Sequence, residues 1–186
     1  PGVPTRSAKP APTRPAPAGR VLVTGGAGFI GSHLVERLVA RGDRVVVVDD
    51  LSTGDASNLR AVRDRIEFIE RDLGQALRDE LSEQRFDQIY HLAAAVGVEL
   101  VMNEPVRAIE TNVDLTAHLL RFAGEHHTPT LIASSSEVYG KPGKELFSEE
   151  DDVLYGPTSV TRWSYACSKA IDEYLALAYA REGRVP

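Results

Sequence analysis

Tyr165 and Lys169 are the two side chains with the clearest potential for acid–base chemistry. They are four residues apart in a predicted helix from Trp163 to Tyr179, so they share one face of that helix. A phenol has a pKa of about 10, but a neighbouring ammonium favours the phenolate and brings that pKa towards neutrality. A tyrosine tuned in this way can accept the proton of an alcohol as hydride leaves the carbon.

A second group of polar side chains precedes that helix. The predicted strand 130–133 is followed by the segment Ser134-Ser-Ser-Glu-Val-Tyr-Gly140. Hydroxyls and a carboxylate at the C-terminal end of a strand lie where α/β sheets bind their ligands. Many Tyr and Lys pairs share a helix face by accident. The polar segment just upstream is what distinguishes the pair of Tyr165 and Lys169 from these.

A glycine-rich loop near the N-terminus provides the place for a cofactor. A short apolar strand, 21–24, leads into the three glycines of a G-x-x-G-x-x-G pattern: Gly25, Gly28 and Gly31. The first glycine permits a tight turn, the second lets the backbone approach a pyrophosphate, and the third lets the next helix pack closely on the strand. The N–H groups at the start of that helix favour phosphate. The alternative is a glycine turn with a purely steric role.

The elements after the loop complete a nucleotide-binding unit. A helix is predicted over 28–41. Its sheet-facing stripe is Ile30, Leu34, Leu38 and Val39. The valine strand 44–48 ends at Asp49 and Asp50, and a carboxylate there accepts hydrogen bonds from ribose hydroxyls, a role that we assign to Asp49. Because no Arg or Lys follows before Arg60, the site favours NAD over NADP.

The rest of the chain continues the alternation of strands and helices. Further strands are predicted at 65–69, 86–92 and 130–133, with 93–97 continuing the second of these, and further helices at 75–84 and 104–125. The predicted fold class is α/β, a Rossmann-type doubly wound parallel sheet in the order 3-2-1-4-5 with helices on both faces.

Three polar residues have two interpretations each. Asp72 follows a strand and could reach an adenine amino group, or it could cap the next helix. His91 also follows a strand, where local hydrogen bonds account for it better than a metal or acid–base role does. Asn112 lies inside a helix that it does not favour, and it could hold a neighbouring strand or loop.

Composition restricts the partners. The chain has 186 residues, 42% of them hydrophobic, and a net charge of −6, which argues against a nucleic-acid surface. A single cysteine excludes an internal disulfide and fits the cytoplasm, and no apolar run is long enough to cross a membrane. We expect no metal. Residues 1–19 form a Pro/Ala-rich segment that we expect to be disordered.

The motifs together identify a family resemblance. They are TGGAGFIG at 24–31, VDD at 48–50, HLAA at 91–94, SSSEVYG at 134–140 and YACSK at 165–169. The chain resembles the extended short-chain dehydrogenase/reductases, in particular the nucleotide-sugar epimerases, dehydratases and decarboxylases. The resemblance implies that Tyr165 is the catalytic base, that Lys169 tunes it and holds the nicotinamide ribose, and that Ser135 hydrogen-bonds the sugar oxygen.

The resemblance also implies a cofactor, a substrate class and an assembly. The cofactor is NAD, the substrate is a nucleotide-diphosphate sugar, expected to be a UDP-sugar, and the helices at 104–125 and 163–179 are expected to pack in a homodimer. The residues expected at the NAD site are Gly25, Gly28, Phe29, Ile30, Gly31, Asp49, Asp50, Ser52, Asp72, Leu73, Leu92, Ala93, Ala94, Asn112 and Lys169.

Within the family, Glu137 discriminates between reactions. Dehydratases tend to have Asp-Glu where this chain has Ser136-Glu137, a pair that resembles the one in UDP-glucuronate decarboxylases, whereas many 4-epimerases lack the Glu. Because WSYACSK departs from the decarboxylase pattern, the sequence puts a UDP-sugar 4-epimerase first and a UDP-glucuronate decarboxylase second. A module that binds NAD without catalysis is the third hypothesis.

The family pattern continues beyond the motifs of this chain. A sixth strand and a smaller substrate-binding domain follow in the family, whereas this sequence stops at Pro186. We therefore expect 20–186 to be an NAD-binding domain truncated before the sixth strand, with the C-terminal substrate domain missing.

Overall fold

The computed structural model describes residues 18–141, 143 and 145–186. Residues 1–17 of the predicted Pro/Ala-rich segment lie outside this part. Gly19 is already tied to the fold, because its N–H donates to the Asp43 carboxylate at 2.9 Å and its carbonyl accepts from the Arg44 N–H at 2.9 Å.

Five parallel strands form a single sheet in the order β3-β2-β1-β4-β5, which confirms the predicted fold class. The strands are β1 Arg20–Thr24, β2 Arg44–Asp49, β3 Ile66–Glu70, β4 Gln88–His91 and β5 Thr130–Ile132. The β-branched residues of β1 and β2 are buried on both faces, as expected of the centre of a parallel sheet. All five strands end at the same edge, so the polar residues that follow them gather there.

Helices cover both faces of the sheet. They are α1 Phe29–Arg41, α2 Leu73–Asp79, α3 Val98–Asn103, α4 Pro105–His126 and α5 Arg162–Arg181. On one face α1 packs Val35 and Leu38 against valines of β1 and β2. On the other face α4 packs Leu119 and Leu120 against Leu22 and Ile89. Both layers of the doubly wound fold are therefore present.

Two sequence predictions were wrong in detail. Ile30 is 69% exposed and does not face the sheet, because the first turn of α1 lies at the sheet edge and the close contact with β1 is made through Gly31. Residues 93–97 do not extend β4, which ends at His91, and they lead instead into α3, a helix that the sequence pattern did not predict. Gly97, with φ of +112°, makes the turn into it.

The outer faces of α3, α4 and α5 expose apolar side chains. Those most exposed are Val98, Met102, Val106, Tyr174 and Leu177. The homodimer predicted to use these helices remains a prediction. Among the described residues, no helix has the length and apolar character required to cross a membrane.

Candidate functional site

A cleft of about 1090 Å³ runs along the edge where the strands end. It extends from the glycine loop, past the ends of β2 and β4, to the start of α5. The predicted site residues that line it are Gly25, Gly28, Phe29, Ile30, Gly31, Asp49, Asp50, Ser52, Asp72, Leu73, Leu92, Ala93, Ala94, Tyr165 and Lys169. The fold therefore brings nearly all of the predicted residues to one cavity.

The glycine loop is built too tightly for any side chain at two of its glycines. Gly25 has φ of +71°, and a Cβ there would lie 2.6 Å from the Ala93 nitrogen. A Cβ at Gly31 would overlap the Gly25 carbonyl oxygen and lie 2.7 Å from the Gly26 Cα. The loop thus keeps bare backbone and the N-terminus of α1 at the cleft, which fits the diphosphate of a dinucleotide.

Asp49, at the end of β2, organises the loops around one end of the cleft, where adenosine is predicted to bind. It is only 8% exposed. Its two carboxylate oxygens accept from the N–H groups of Ala27 at 2.8 Å and Leu51 at 2.9 Å. Each oxygen has a second lone pair, so the same carboxylate can still accept from a ribose hydroxyl. The neighbouring Asp50 accepts from both the N–H and the hydroxyl of Ser52.

Asp72 lies at the other side of this end of the cleft. Its side chain accepts from the Gln75 N–H at 3.0 Å and caps α2, as one of the two interpretations predicted. It also lines the cleft, so a contact to adenine is compatible with the cap and stays a prediction.

Tyr165 is half-buried against Ala95, Val101 and Ala108, which come from α3, α4 and the loop before them. This burial raises the pKa of its phenol above the ordinary value of 10.0, the Ser135 hydroxyl lowers it, and the carboxylates of Glu137 and Asp172 raise it further. The expected shift towards neutrality is therefore wrong. The physical reason is the burial of the phenol among apolar side chains, while the Lys169 ammonium is hydrogen-bonded to Asp172 at 2.8 Å.

Ser135 and Glu137 lie beside Tyr165, although it is Ser134 that lines the cleft wall. The Ser135 hydroxyl accepts from the Glu137 N–H at 3.2 Å and caps a short 3₁₀ helix, Ser136–Tyr139. This cap fixes the Ser135 hydroxyl relative to the backbone of Glu137. The Ser134 hydroxyl donates to Glu173.

Asn112 is the predicted NAD-site residue that lies behind the cleft wall. Its amide oxygen accepts from the Ala95 N–H at 2.7 Å, and its amide nitrogen donates to the Ala95 carbonyl at 3.3 Å and to the Ser168 hydroxyl at 3.3 Å. It therefore holds the loop that follows β4, as its unfavourable position in a helix suggested.

His91 is buried between two hydroxyls. Its Nδ1 is hydrogen-bonded to Thr24 at 2.6 Å and its Nε2 to Thr116 at 3.3 Å. Burial, together with the nearby charge of Lys169, lowers the pKa of His91 from 6.5 to about 3. The ring is therefore neutral, and local hydrogen bonds account for it as predicted.

The buried neutral His91 predicts a loss of stability in acid. Below pH 6.5 the unfolded chain binds a proton at this residue that the folded protein does not bind until about pH 3. Above about pH 6.5 the ionisation of His91 does not change the free energy of unfolding. Between that pH and about pH 3, this free energy falls by up to about 1.4 kcal/mol for each unit by which the pH is lowered. Urea unfolding from pH 7 to pH 4 should show a shallower acid dependence for His91→Gln. Equal pH slopes for the two proteins would contradict it.

Comparisons with known proteins agree with these features. A family model described as "NAD dependent epimerase/dehydratase family" matches residues 21–186 and confirms both the resemblance and the NAD cofactor. A UDP-N-acetyl-alpha-D-glucosaminuronate decarboxylase from Bacillus cytotoxicus is 46% identical over 165 residues, covering 88% of this chain and 51% of the relative. UDP-glucuronic acid decarboxylase 4 from Arabidopsis thaliana is 44% identical over 171 residues, covering 89% and 37%.

Solved structures show the same architecture. A UDP-glucose 4-epimerase from Thermotoga maritima with UDP-glucose superposes with a TM-score of 0.78 at 30% identity, over 89% of this chain and 52% of that one. The chain thus spans about half the length, or less, of the relatives it matches. Of the two reactions weighed from the sequence, the decarboxylase alternative has the better support among these relatives, which carry decarboxylase names.

Proposed function

The chain belongs to the NAD-dependent epimerase/dehydratase family, and from this premise we propose that it binds NAD in the cleft and takes part in the NAD-dependent decarboxylation of a UDP-sugar acid, with no net oxidation. The observation that carries the proposal is its 46% identity, over 165 residues, to a decarboxylase of UDP-N-acetyl-glucosaminuronate. The Ser136-Glu137 pair beside Tyr165 supports the same reaction, because a dehydratase would be expected to have Asp-Glu there.

The residues present fit the cofactor. The glycine loop and the N-terminus of α1 would hold the diphosphate, Asp49 the adenosine ribose, and Lys169 the nicotinamide ribose. NAD supplies a hydride acceptor beside the sugar and a hydride donor for the return step.

The role of this chain's own residues is to manage the sugar hydroxyl. Tyr165 would accept the proton of the C4 hydroxyl as that carbon is oxidised, and Ser135 would hydrogen-bond the same oxygen. The C4 ketone is β to the C6 carboxylate, so the C5–C6 bond breaks with release of CO₂, and its electron pair passes into an enolate on C4. C5 would then take a proton from solvent, and C4 would be reduced again as Tyr165 returns its proton to the C4 oxygen, which gives the pentose product.

Because burial raises the pKa of the Tyr165 phenol, the residue needs positive charge nearby before it can act as a base near neutral pH. The charges of the nicotinamide and of Lys169 would both lower this pKa.

A 4-epimerase is the second candidate, and the structural match to a UDP-glucose 4-epimerase favours it. The oxidation at C4 is common to both reactions. They differ in whether CO₂ leaves the intermediate or hydride returns to its opposite face.

The test is incubation of the protein with NAD and, separately, UDP-glucuronate, UDP-N-acetylglucosaminuronate and UDP-glucose, followed by chromatography and mass spectrometry. A product lighter by one CO₂ from either sugar acid supports the decarboxylase. An isomer of unchanged mass from UDP-glucose would replace it with the epimerase. NAD binding without any product would leave the binding module.

A further inference from the structure

A continuous chain of buried polar side chains lies behind the cleft. The Ala93 N–H donates to the Thr24 hydroxyl at 3.3 Å, Thr24 is bonded to His91 Nδ1, and His91 Nε2 is bonded to Thr116. Thr116 in turn lies beside Asp172, whose carboxyl has its pKa raised by burial, an effect that Lys169 and Thr116 oppose. The chain links the ends of β1 and β4 to α4 and α5, and its side chains are almost completely excluded from solvent.

The chain ends at a buried ion pair. The Lys169 ammonium donates to Asp172 Oδ2 at 2.8 Å, and the two side chains are only 4% and 1% exposed. The pair of Arg107 and Glu104 has the same i,i+3 spacing, but its side chains are 55% and 51% exposed. An exposed pair of that kind contributes little, whereas a buried charge is strongly unfavourable once its partner is removed. Asp172 is therefore the group that allows Lys169 to be charged where it stands.

The other groups around the pair do not replace Asp172. From β4, His91 is neutral and can offer no negative charge. On α5, Glu173 lies close enough to raise the pKa of Asp172, but it is exposed and hydrogen-bonded to Ser134. On α4, Thr116 is the polar neighbour of the Asp172 carboxylate. One oxygen of that carboxylate, Oδ1, accepts no hydrogen bond from the residues that the structure describes.

We propose that Asp172 is a positioning residue of the cleft, whose carboxylate holds the Lys169 ammonium charged and fixed at the cleft floor. The hydroxyl–imidazole chain behind it keeps the ends of β1 and β4 in place around the pair. Lys169 lines the cleft while its ammonium is held from behind. Asp172 thus supplies the anchor from which Lys169 serves the nicotinamide ribose and Tyr165.

The test is site-resolved acylation of lysines across a range of pH, read by peptide mass spectrometry. The chain has four lysines, so Lys169 is followed separately from Lys141, which is exposed and serves as the internal reference. In Asp172→Asn the pH midpoint of Lys169 acylation is expected to fall by about one unit or more, with Lys141 unchanged. Asp172→Glu should return the midpoint towards that of the original protein, and Glu173→Gln should leave it in place.

An unchanged Lys169 midpoint in Asp172→Asn would overturn the proposal. If that variant fails to fold, the double variant Lys169→Met/Asp172→Asn decides, because removing both charges removes the unpaired ammonium. The double variant should fold, and its failure would also overturn the proposal. A role for Asp172 in turnover rests on the proposed function. The lysine labelling requires neither NAD nor a sugar, so the proposal about Asp172 and the proposed function can fail separately.

Discussion

Tyr165→Phe is expected to lower kcat of the proposed reaction by about 10²–10⁴-fold while leaving the affinity for NAD almost unchanged. The substitution removes only the phenol oxygen, and the ring can keep its packing against Ala95, Val101 and Ala108. Sugar oxidation then lacks its proton acceptor. The measurement combines the rate of CO₂ release from a UDP-sugar acid with a fluorescence titration of NADH.

Tyr155→Phe is the matched control. The Tyr155 hydroxyl donates to the Val138 carbonyl at 3.0 Å and does not line the cleft. Its removal should reduce stability by about 1 kcal/mol, as for one hydrogen bond, and should lower kcat far less than Tyr165→Phe, because it affects only the backbone of the 3₁₀ helix next to Ser135. Full activity in Tyr165→Phe, or an equal loss of activity in both variants, would rule out Tyr165 as the proton acceptor.

The sequence could predict which residues meet at the cleft, because their positions depend on the order of the strands and on the alternation of strands and helices. In a parallel sheet the residues after each strand share one edge, so locating the strand ends was enough to place Asp49, Asp72 and Ala93 together. At the end of β5 it is Ser134, not the predicted Ser135, that lines the cleft. The error at Ile30 arose because helical periodicity predicts which residues share a face of the helix. It does not predict where the first turn of the helix lies relative to the sheet.

The partner of Lys169 could not be predicted, because the choice depends on burial. Tyr165 at i−4 and Asp172 at i+3 are both on the same face of α5 as Lys169. Only the packed structure shows that this face is buried behind the cleft. A buried ammonium favours a carboxylate over a neutral phenol, and the pKa of Tyr165 rises as a result of its own burial.

Gly31→Ala is expected to abolish measurable NAD binding and to lower the free energy of unfolding by about 3 kcal/mol. The new methyl group would meet the backbone of Gly25 and Gly26, which cannot rotate away as a side chain can. Either α1 moves off β1 or the glycine loop opens, and in both cases the N–H groups lose their arrangement around the diphosphate. NADH titration and urea unfolding measure the two effects.

Gly124→Ala is the control for the substitution itself. Gly124 lies inside α4, where a Cβ would be 3.5 Å from the Tyr179 ring, an ordinary contact. Alanine in a helix is more favourable than glycine by about 0.5–1 kcal/mol, so this variant should be slightly more stable and bind NADH normally. If Gly31→Ala behaved in the same way, the close approach of α1 to β1 could not be what shapes the diphosphate site, and the placement of NAD along this edge of the sheet would fail with it.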